Sequence, residues 1–424
     1  YTYDDKYVLS GSIRWDRSNL WGTNSKYQNK PLWSVGGSWN IYKEKFFQAD
    51  FVDMLKLRAS YGIGGNIGRN TAPYLIASYY DSSLVDGMAG SVNTPPNKDI
   101  RWEKTTTVNV GVDFALFRHR LSGTIEYYNK YSVDLLAAIN GSPTQGFGYT
   151  TLMTNNGKMV NRGVEITLSG EIIRQKDFSW NASLLYAFNR NKVKHISVQP
   201  SLWDSRISMP TSYPMVGKPL YGIYAYKWAG LNENGDPQVY DAENNVTSGP
   251  ARDYHALVYC GTTVPIHNAS LTNVLRYKGF EFSAMLILDA GHKLRSSNIP
   301  SINMSNGRIT STAKGIVDRW TQPGDVTDVP RLLFSNDTEN FNTHRTELYR
   351  YSDLFVYDAS NIRLSNISLA YRVPAHWCKK ISLSGARLQF NVENVATFAF
   401  DSKANYDLGG KVKPNYVWGL YLNF

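Results

Sequence analysis

The sequence predicts an all-β protein, specifically an antiparallel transmembrane β-barrel, and two observations carry that prediction. The first is the final stretch, Pro414 to Phe424. With a period of two, Tyr416, Trp418, Leu420, Leu422 and Phe424 fall on one face of a strand and Asn415, Val417, Gly419, Tyr421 and Asn423 on the other. One face is wholly apolar or aromatic, as expected of a strand that turns that face to lipid. The second is composition. Aromatic residues make up 13% of the 424 positions, with 29 Tyr and 11 Trp, yet mean hydropathy is only -0.37. Apolar runs such as Ala284 to Leu288 are far shorter than the roughly 20 residues a spanning helix needs. A wall of alternating strands reconciles many aromatics with a polar average, because its lumen face is polar.

Taken in order, Tyr1 to Tyr3 reads as a strand end and Asp4-Asp5-Lys6 as a tight turn. Tyr7, Leu9, Gly11, Ile13 and Trp15 then alternate with polar neighbours. Trp33, Val35, Gly37, Trp39 and Ile41 repeat the pattern, as do Leu55, Leu57, Ala59 and Tyr61. Val108 to Leu116 turns through Arg118-His119-Arg120 into Leu121, Gly123, Ile125 and Tyr127. Val164, Ile166 and Leu168 pass through Arg174 to Asp177 into Phe178, Trp180, Ala182, Leu184, Tyr186 and Phe188. A third hairpin runs from about Pro265 to Arg276, turns at Tyr277-Lys278-Gly279 and returns as Phe280 to Leu288. A fourth pairs Asn361 to Tyr371 with Ala386 to Val392. Within it, Ile362 and Leu364 lie on the opposite parity from Ile367, Leu369 and Tyr371, which predicts a bulge near Asn366.

Twelve strands follow the turn at Asp4, and their connections alternate in length. Short ones lie near 43–54, 117–120, 174–177, 277–279 and 373–384. Long ones lie near 17–31, 63–103, 132–159, 191–263, 292–357 and 397–413. Short turns on one rim and long loops on the other match an outer-membrane barrel, with the long loops outside the cell. If Asp4 lies in a periplasmic turn, the twelfth strand leaves Phe424 at the periplasmic rim. Tyr1 begins abruptly, and the expectation is a chain whose earlier part is absent.

The residues also bound the chemistry. The net charge of +10 is spread along the chain with no basic block, which argues against nucleic acid as a partner. Two cysteines, Cys260 and Cys378, form no CxxC; a bridge between them is left open. The seven histidines form no HExxH. Gly62, Gly64, Gly65 and Gly68 lack the spacing of a phosphate loop and read as a flexible loop leaving a strand. Asn232, Asn234 and Asp236 alternate as calcium ligands would, with Glu243 closing the loop. Pro237 stands where such a loop needs Gly, so a plain turn is the expectation and a loop-bound Ca²⁺ the alternative. No catalytic residue is identified, and none of the carboxylates is tied to a catalytic motif.

Ordered segments along the chain carry a family resemblance. They include Tyr3-Asp4-Asp5-Lys6-Tyr7, Ile13-Arg14-Trp15-Asp16, Leu55-Lys56-Leu57-Arg58-Ala59-Ser60-Tyr61-Gly62, Trp102-Glu103-Lys104-Thr105 and Asn161-Arg162-Gly163-Val164-Glu165. Gly217-Lys218-Pro219-Leu220-Tyr221, Arg319-Trp320, Ile362-Arg363-Leu364-Ser365-Asn366 and Asn391-Val392-Glu393-Asn394 continue the series. In these the chain resembles the SusC/RagA-type TonB-dependent transporters of Bacteroidetes outer membranes, in their carboxy-terminal barrel half. The resemblance implies a barrel of about 22 strands, of which about 12 are present, with the plug domain and earlier strands outside this sequence. It also implies a TonB energy-coupling complex and a SusD-like lipoprotein as partners, with a glycan or oligopeptide as cargo. Phe424 and its face, Tyr416, Trp418, Leu420 and Leu422, would serve as the insertion signal.

Import needs recognition instead of bond chemistry. The loop aromatics Trp203 and Tyr213 are the candidates for a ligand-facing surface, with Tyr221, Tyr224, Tyr226 and Trp228 nearby. The alternative is that these rings pack the loops on each other. At the level of function, the alternatives are a structural or adhesion barrel and a soluble all-β carbohydrate-binding protein.

Overall fold

The computed structural model describes residues 1–16, 22, 24, 27, 30–68, 73–84, 87–142, 144, 151–200, 205–249, 253–305, 308–332, 345–409 and 413–424. Its frame is one antiparallel sheet of 13 strands. In sequence and spatial order these are Thr2–Tyr3, Tyr7–Arg14, Leu32–Asn40, Val52–Asn66, Glu103–Leu116, Leu121–Asn140, Thr151–Arg174, Phe178–His195, His267–Tyr277, Phe280–Ala290, Asn361–Arg372, Gly385–Ala399 and Asn415–Asn423. Every strand pairs with its sequence neighbour in the wall. The count is the expected twelve after the turn at Asp4, preceded by the strand end at Thr2–Tyr3.

Register follows the alternation. Tyr7, Trp39, Leu57, Val112, Ile125, Ile166, Tyr186, Ala269, Leu288 and Ile362 stand directly opposite one another, each on its own strand. A row nearer the short turns joins Phe178, Tyr277, Phe280, Tyr371, Leu388 and Leu420. Tyr277, Phe280, Leu388 and Leu420 are exposed. Such a belt of large apolar side chains has no aqueous rationale and suits lipid and its interface. The expected bulge is present, with the pairing of Asn361–Arg372 slipping between Leu364 and Asn366. It lets Leu364 and Ile367, of opposite parity, share the apolar face.

The structure revises two loop boundaries. The expected loop at 132–159 is strand from 132 to 140 and from 151 to 159, so Leu121–Asn140 and Thr151–Arg174 form one tall hairpin. Likewise 63–66 continue a strand, and within 67–103 a second hairpin pairs Ile76–Ser82 with Gly87–Thr94. Gly62, Gly64 and Gly65 therefore lie inside strand Val52–Asn66, correcting their reading as a flexible loop. Gly62 and Gly65 are small for packing reasons. A Cβ at Gly62 would stand 2.8 Å from that of Ser34, and one at Gly65 2.8 Å from the Trp102 ring. Both contacts are closer than real side chains tolerate.

Among the described residues, the buried hydrophobic cluster lies outside the wall. Tyr224, Tyr226, Val239, Ala256 and Leu257, from the connection between Phe178–His195 and His267–Tyr277, close around Leu348 from the connection before Asn361. Leu348 sits on the short helix Arg345–Arg350, and Tyr226 is fully buried. Two loops thus build one lobe. Backbone bonds stitch it, with Tyr226 N donating to Tyr351 O at 3.0 Å and Arg331 N to Gly235 O at 3.1 Å.

Candidate functional site

Because successive side chains alternate, the face opposite the apolar rows is fixed as the lumen side. The strand carboxylates Asp113, Glu126, Glu165, Glu281 and Asp289 all stand on it. Arg58 donates to Asp113 through Nε at 2.8 Å and Nη2 at 2.9 Å, and Nη2 also reaches Glu126. Gly111, directly opposite both Arg58 and Glu126, makes room, since a Cβ there would stand 3.2 Å from Arg58 Nη2. Further along, Glu281 accepts from Arg276 at 2.8 Å and Arg387 at 3.2 Å, and Asp289 accepts from Arg363 at 3.0 Å and Asn268 at 2.7 Å. Three strands share each cluster, so the ion pairs bind the wall laterally as well as lining it.

Above this charged belt, where the tall hairpin rises past the wall, a cavity of about 340 Å³ opens on the same face. Met159 and Val193, paired with each other, lie on the lumen register through Ser132 and Thr105. With Leu135, Leu136, Met153 and Leu220 they give an aliphatic lining; Glu103, Lys158, His195 and Ser212 add polar groups. This cavity was not anticipated from sequence, because its residues come from segments read as loops. The alternation of Leu135, Ala137 and Ile139 was the available signal.

Of the two loop aromatics expected to contact ligand, Trp203 lies outside the described residues and only Tyr213 is among them. Tyr213 is buried, at 8% exposure, and its carbonyl accepts from Arg206 Nε; it packs the lobe instead of presenting a face. Tyr224 and Tyr226 are core, and Trp228 half-buried, donates through Nε1 to Asp328 at 2.8 Å. Tyr221 alone of the loop rings named above is exposed among the described residues. Most of these aromatics hold the loops together.

The Asn232–Asp236 segment is a turn. Asn232 Oδ1 accepts from the N–H groups of Asn234 at 2.9 Å and Asp236 at 2.8 Å, and Gly235 takes φ +73°. Asp236 receives Arg345 Nε at 3.0 Å and Arg331 Nη2 at 3.3 Å. Its carboxylate ties the two loops through guanidinium groups, and among the described residues no group of three or more His, Cys, Asp or Glu is placed to hold a metal ion. Both cysteines are free thiols: Cys260 in the lobe, where burial pushes its pKa up to about 11, and Cys378 in the short turn after Arg372. In the lobe, burial alone would raise the Asp358 carboxyl, but bonds from Ser360 and the nearby Lys293 bring it down to about 2. Burial also depresses Arg295, which donates to the carbonyls of Tyr224 at 2.7 Å and Ser352 at 3.2 Å.

A lipid-facing antiparallel wall with a charged lumen face and a folded lobe of long loops defines an outer-membrane β-barrel of the receptor class. Residues 1–395 match the family described as TonB dependent receptor-like, beta-barrel, and the chain belongs to that family. It is 27% identical to TonB-dependent receptor P3 of Formosa agariphila, over 99% of this chain and 43% of that protein. It is 25% identical to TonB-dependent receptor SusC of Bacteroides thetaiotaomicron, over 93% and 39% respectively. Among solved structures, that of the RagAB peptide transporter superposes with a TM-score of 0.79 at 23% identity, covering 100% of this chain and 46% of that one. The chain spans less than half the length of these relatives.

Proposed function

We propose that the chain forms the carboxy-terminal part of a transporter that imports a nutrient across the outer membrane, coupled through TonB to periplasmic energy and served by a SusD-like lipoprotein at the surface. The observation that carries the reading is the stacking of an ordered loop lobe and an aliphatic cavity over a charge-lined lumen face. A purely structural barrel has no need of such a cavity. Aliphatic lining suits the apolar side chains of an oligopeptide better than the flat faces of sugar rings, which stack on aromatics. An oligopeptide is therefore the first cargo to test and a glycan fragment the second. Phe424, with Tyr416, Trp418, Leu420 and Leu422, is proposed as the insertion signal.

The test is deletion of the gene followed by growth on a defined oligopeptide mixture or a defined glycan as limiting nutrient. Loss of growth on one, restored by the wild-type gene, is the expected result. Unimpaired growth on both, with the barrel still inserted in wild-type membranes, would favour a structural role.

A further inference from the structure

A second cavity, of about 250 Å³, opens on the opposite face of the wall, at its long-loop rim. Its position follows from register. Trp33 and Ile63 oppose each other on the apolar face, one pair beyond Val35 and Tyr61, and Gly65 opposes Lys104 one step further out. The Trp102 ring takes the space that a Cβ on Gly65 would occupy, 2.8 Å from it. The Trp33 and Tyr61 rings lie 5.5 Å apart, and exposed Tyr61, one rung below the cavity, and exposed Tyr131, level with Ile63, mark the aromatic girdle. The cavity therefore sits where hydrocarbon gives way to lipid headgroups.

Its chemistry is apolar below and basic above. Trp33 and Ile63 lie on the lower rung, the Trp102 ring packs at the level of Gly65 and Lys104, and Lys30, Arg101 and Lys104 bring positive charge to the lining. Arg101 is paired to Asp134 at 2.7 Å and lies over the Tyr27 ring. Neither Lys30 nor Lys104 has a carboxylate partner among the described residues, so an excess of positive charge faces outward. On the same face, on the rung of Tyr61 and Val108 below the cavity, Arg162 and Arg190 stand directly opposite each other, and Arg162 Nε donates to Asn129 Oδ1 at 3.0 Å. Like charges in that relation repel unless an anion lies between them.

We propose that this rim cavity binds the phosphorylated headgroup of an outer-leaflet lipid, its phosphate held by Lys30 and Lys104 and its acyl chains continuing down over Trp33. Basic pockets at membrane interfaces take anionic headgroups in this way, and two rungs of aromatic residues supply the apolar continuation. The site is on the outside of the barrel and is independent of cargo.

The test is native mass spectrometry of the natural-length protein in detergent, titrated with bisphosphorylated lipid A, with its dephosphorylated form and with inorganic phosphate. The double variant Lys30→Gln with Lys104→Gln removes only exposed charges, and a heat-shifted gel mobility checks that it is folded. The expected result is lipid A binding about 10-fold weaker in the double variant, and unchanged by Lys176→Gln at the opposite rim. Equal binding by wild type and double variant would overturn the proposal. So would equal binding of the dephosphorylated lipid, or displacement of lipid A by millimolar inorganic phosphate, which would make the cavity a free-anion site.

Discussion

The wall and the loop lobe are built from one chain yet obey opposite rules. In the wall the large apolar residues point outward: Leu286 is 37% exposed and Leu420 62%, while Asp113 and Glu126 face inward and pair with Arg58 across three strands. In the lobe Tyr226 and Leu348 are fully buried and the charges lie around them, with Asp236 clamped by two arginines. The difference is one of solvent. Hydrocarbon gives the wall no hydrophobic incentive to bury its apolar face, and backbone pairing holds it instead. The lobe stands in water and needs a core.

Substitution of one leucine in each region separates the two regimes. Leu348→Ala should cost the lobe about 2–5 kcal/mol, as cavity-forming changes in packed cores do. The readout is faster proteolysis or hydrogen exchange over 222–262, with insertion of the wall unchanged; equal loss of insertion would mean that the lobe and wall fold as one unit. Leu286→Arg should cost insertion roughly 2–4 kcal/mol at mid-membrane, whereas Ser283→Arg, on the lumen face, should be tolerated. Refolding into liposomes measures both, and equal tolerance would break the assignment of faces.

The tight turns supply a smaller effect. Phe117, Arg118 and His119 all take left-handed φ, from 57° to 62°, a conformation that costs non-glycine residues roughly 1–2 kcal/mol each. Arg118→Gly should stabilise the wall by about 1 kcal/mol, seen as a higher unfolding midpoint. The smallest effect is acidic. With the Asp358 pKa lowered to about 2, its contribution is present above about pH 4, the ordinary carboxylate range, and is lost as pH falls toward 2. Asp358 is part-exposed, so screening limits this to under about 1 kcal/mol. Asp358→Asn should flatten the acid limb of lobe protection measured between pH 4 and 2, while the wall's acid response stays as it was.

The strands were legible because alternation is local: Val108 to Leu116 or Phe280 to Leu288 declares its two faces without reference to a partner. Even the slip near Asn366 was written in the parity change between Leu364 and Ile367. The height of the strands was less legible, since Leu152 to Met159 lies beyond the membrane and lacks the lipid-driven pattern. The lobe was not legible at all. Its aromatics read as ligand surface because exposure cannot be inferred without knowing what packs against them, and Tyr213 is the instance.

By itself, then, the amino-acid order determined the twelve strands, their faces and the alternation of short and long connections, since each rests on residues two to a dozen positions apart. Only the tertiary structure decided that the loops around Tyr226 and Leu348 share a core, with Trp228 N donating to an Asp353 carboxylate 125 residues away. It alone placed the aliphatic cavity over the lumen and the basic cavity over the lipid. Such contacts depend on which loops the register of the wall brings side by side, and no local periodicity encodes that.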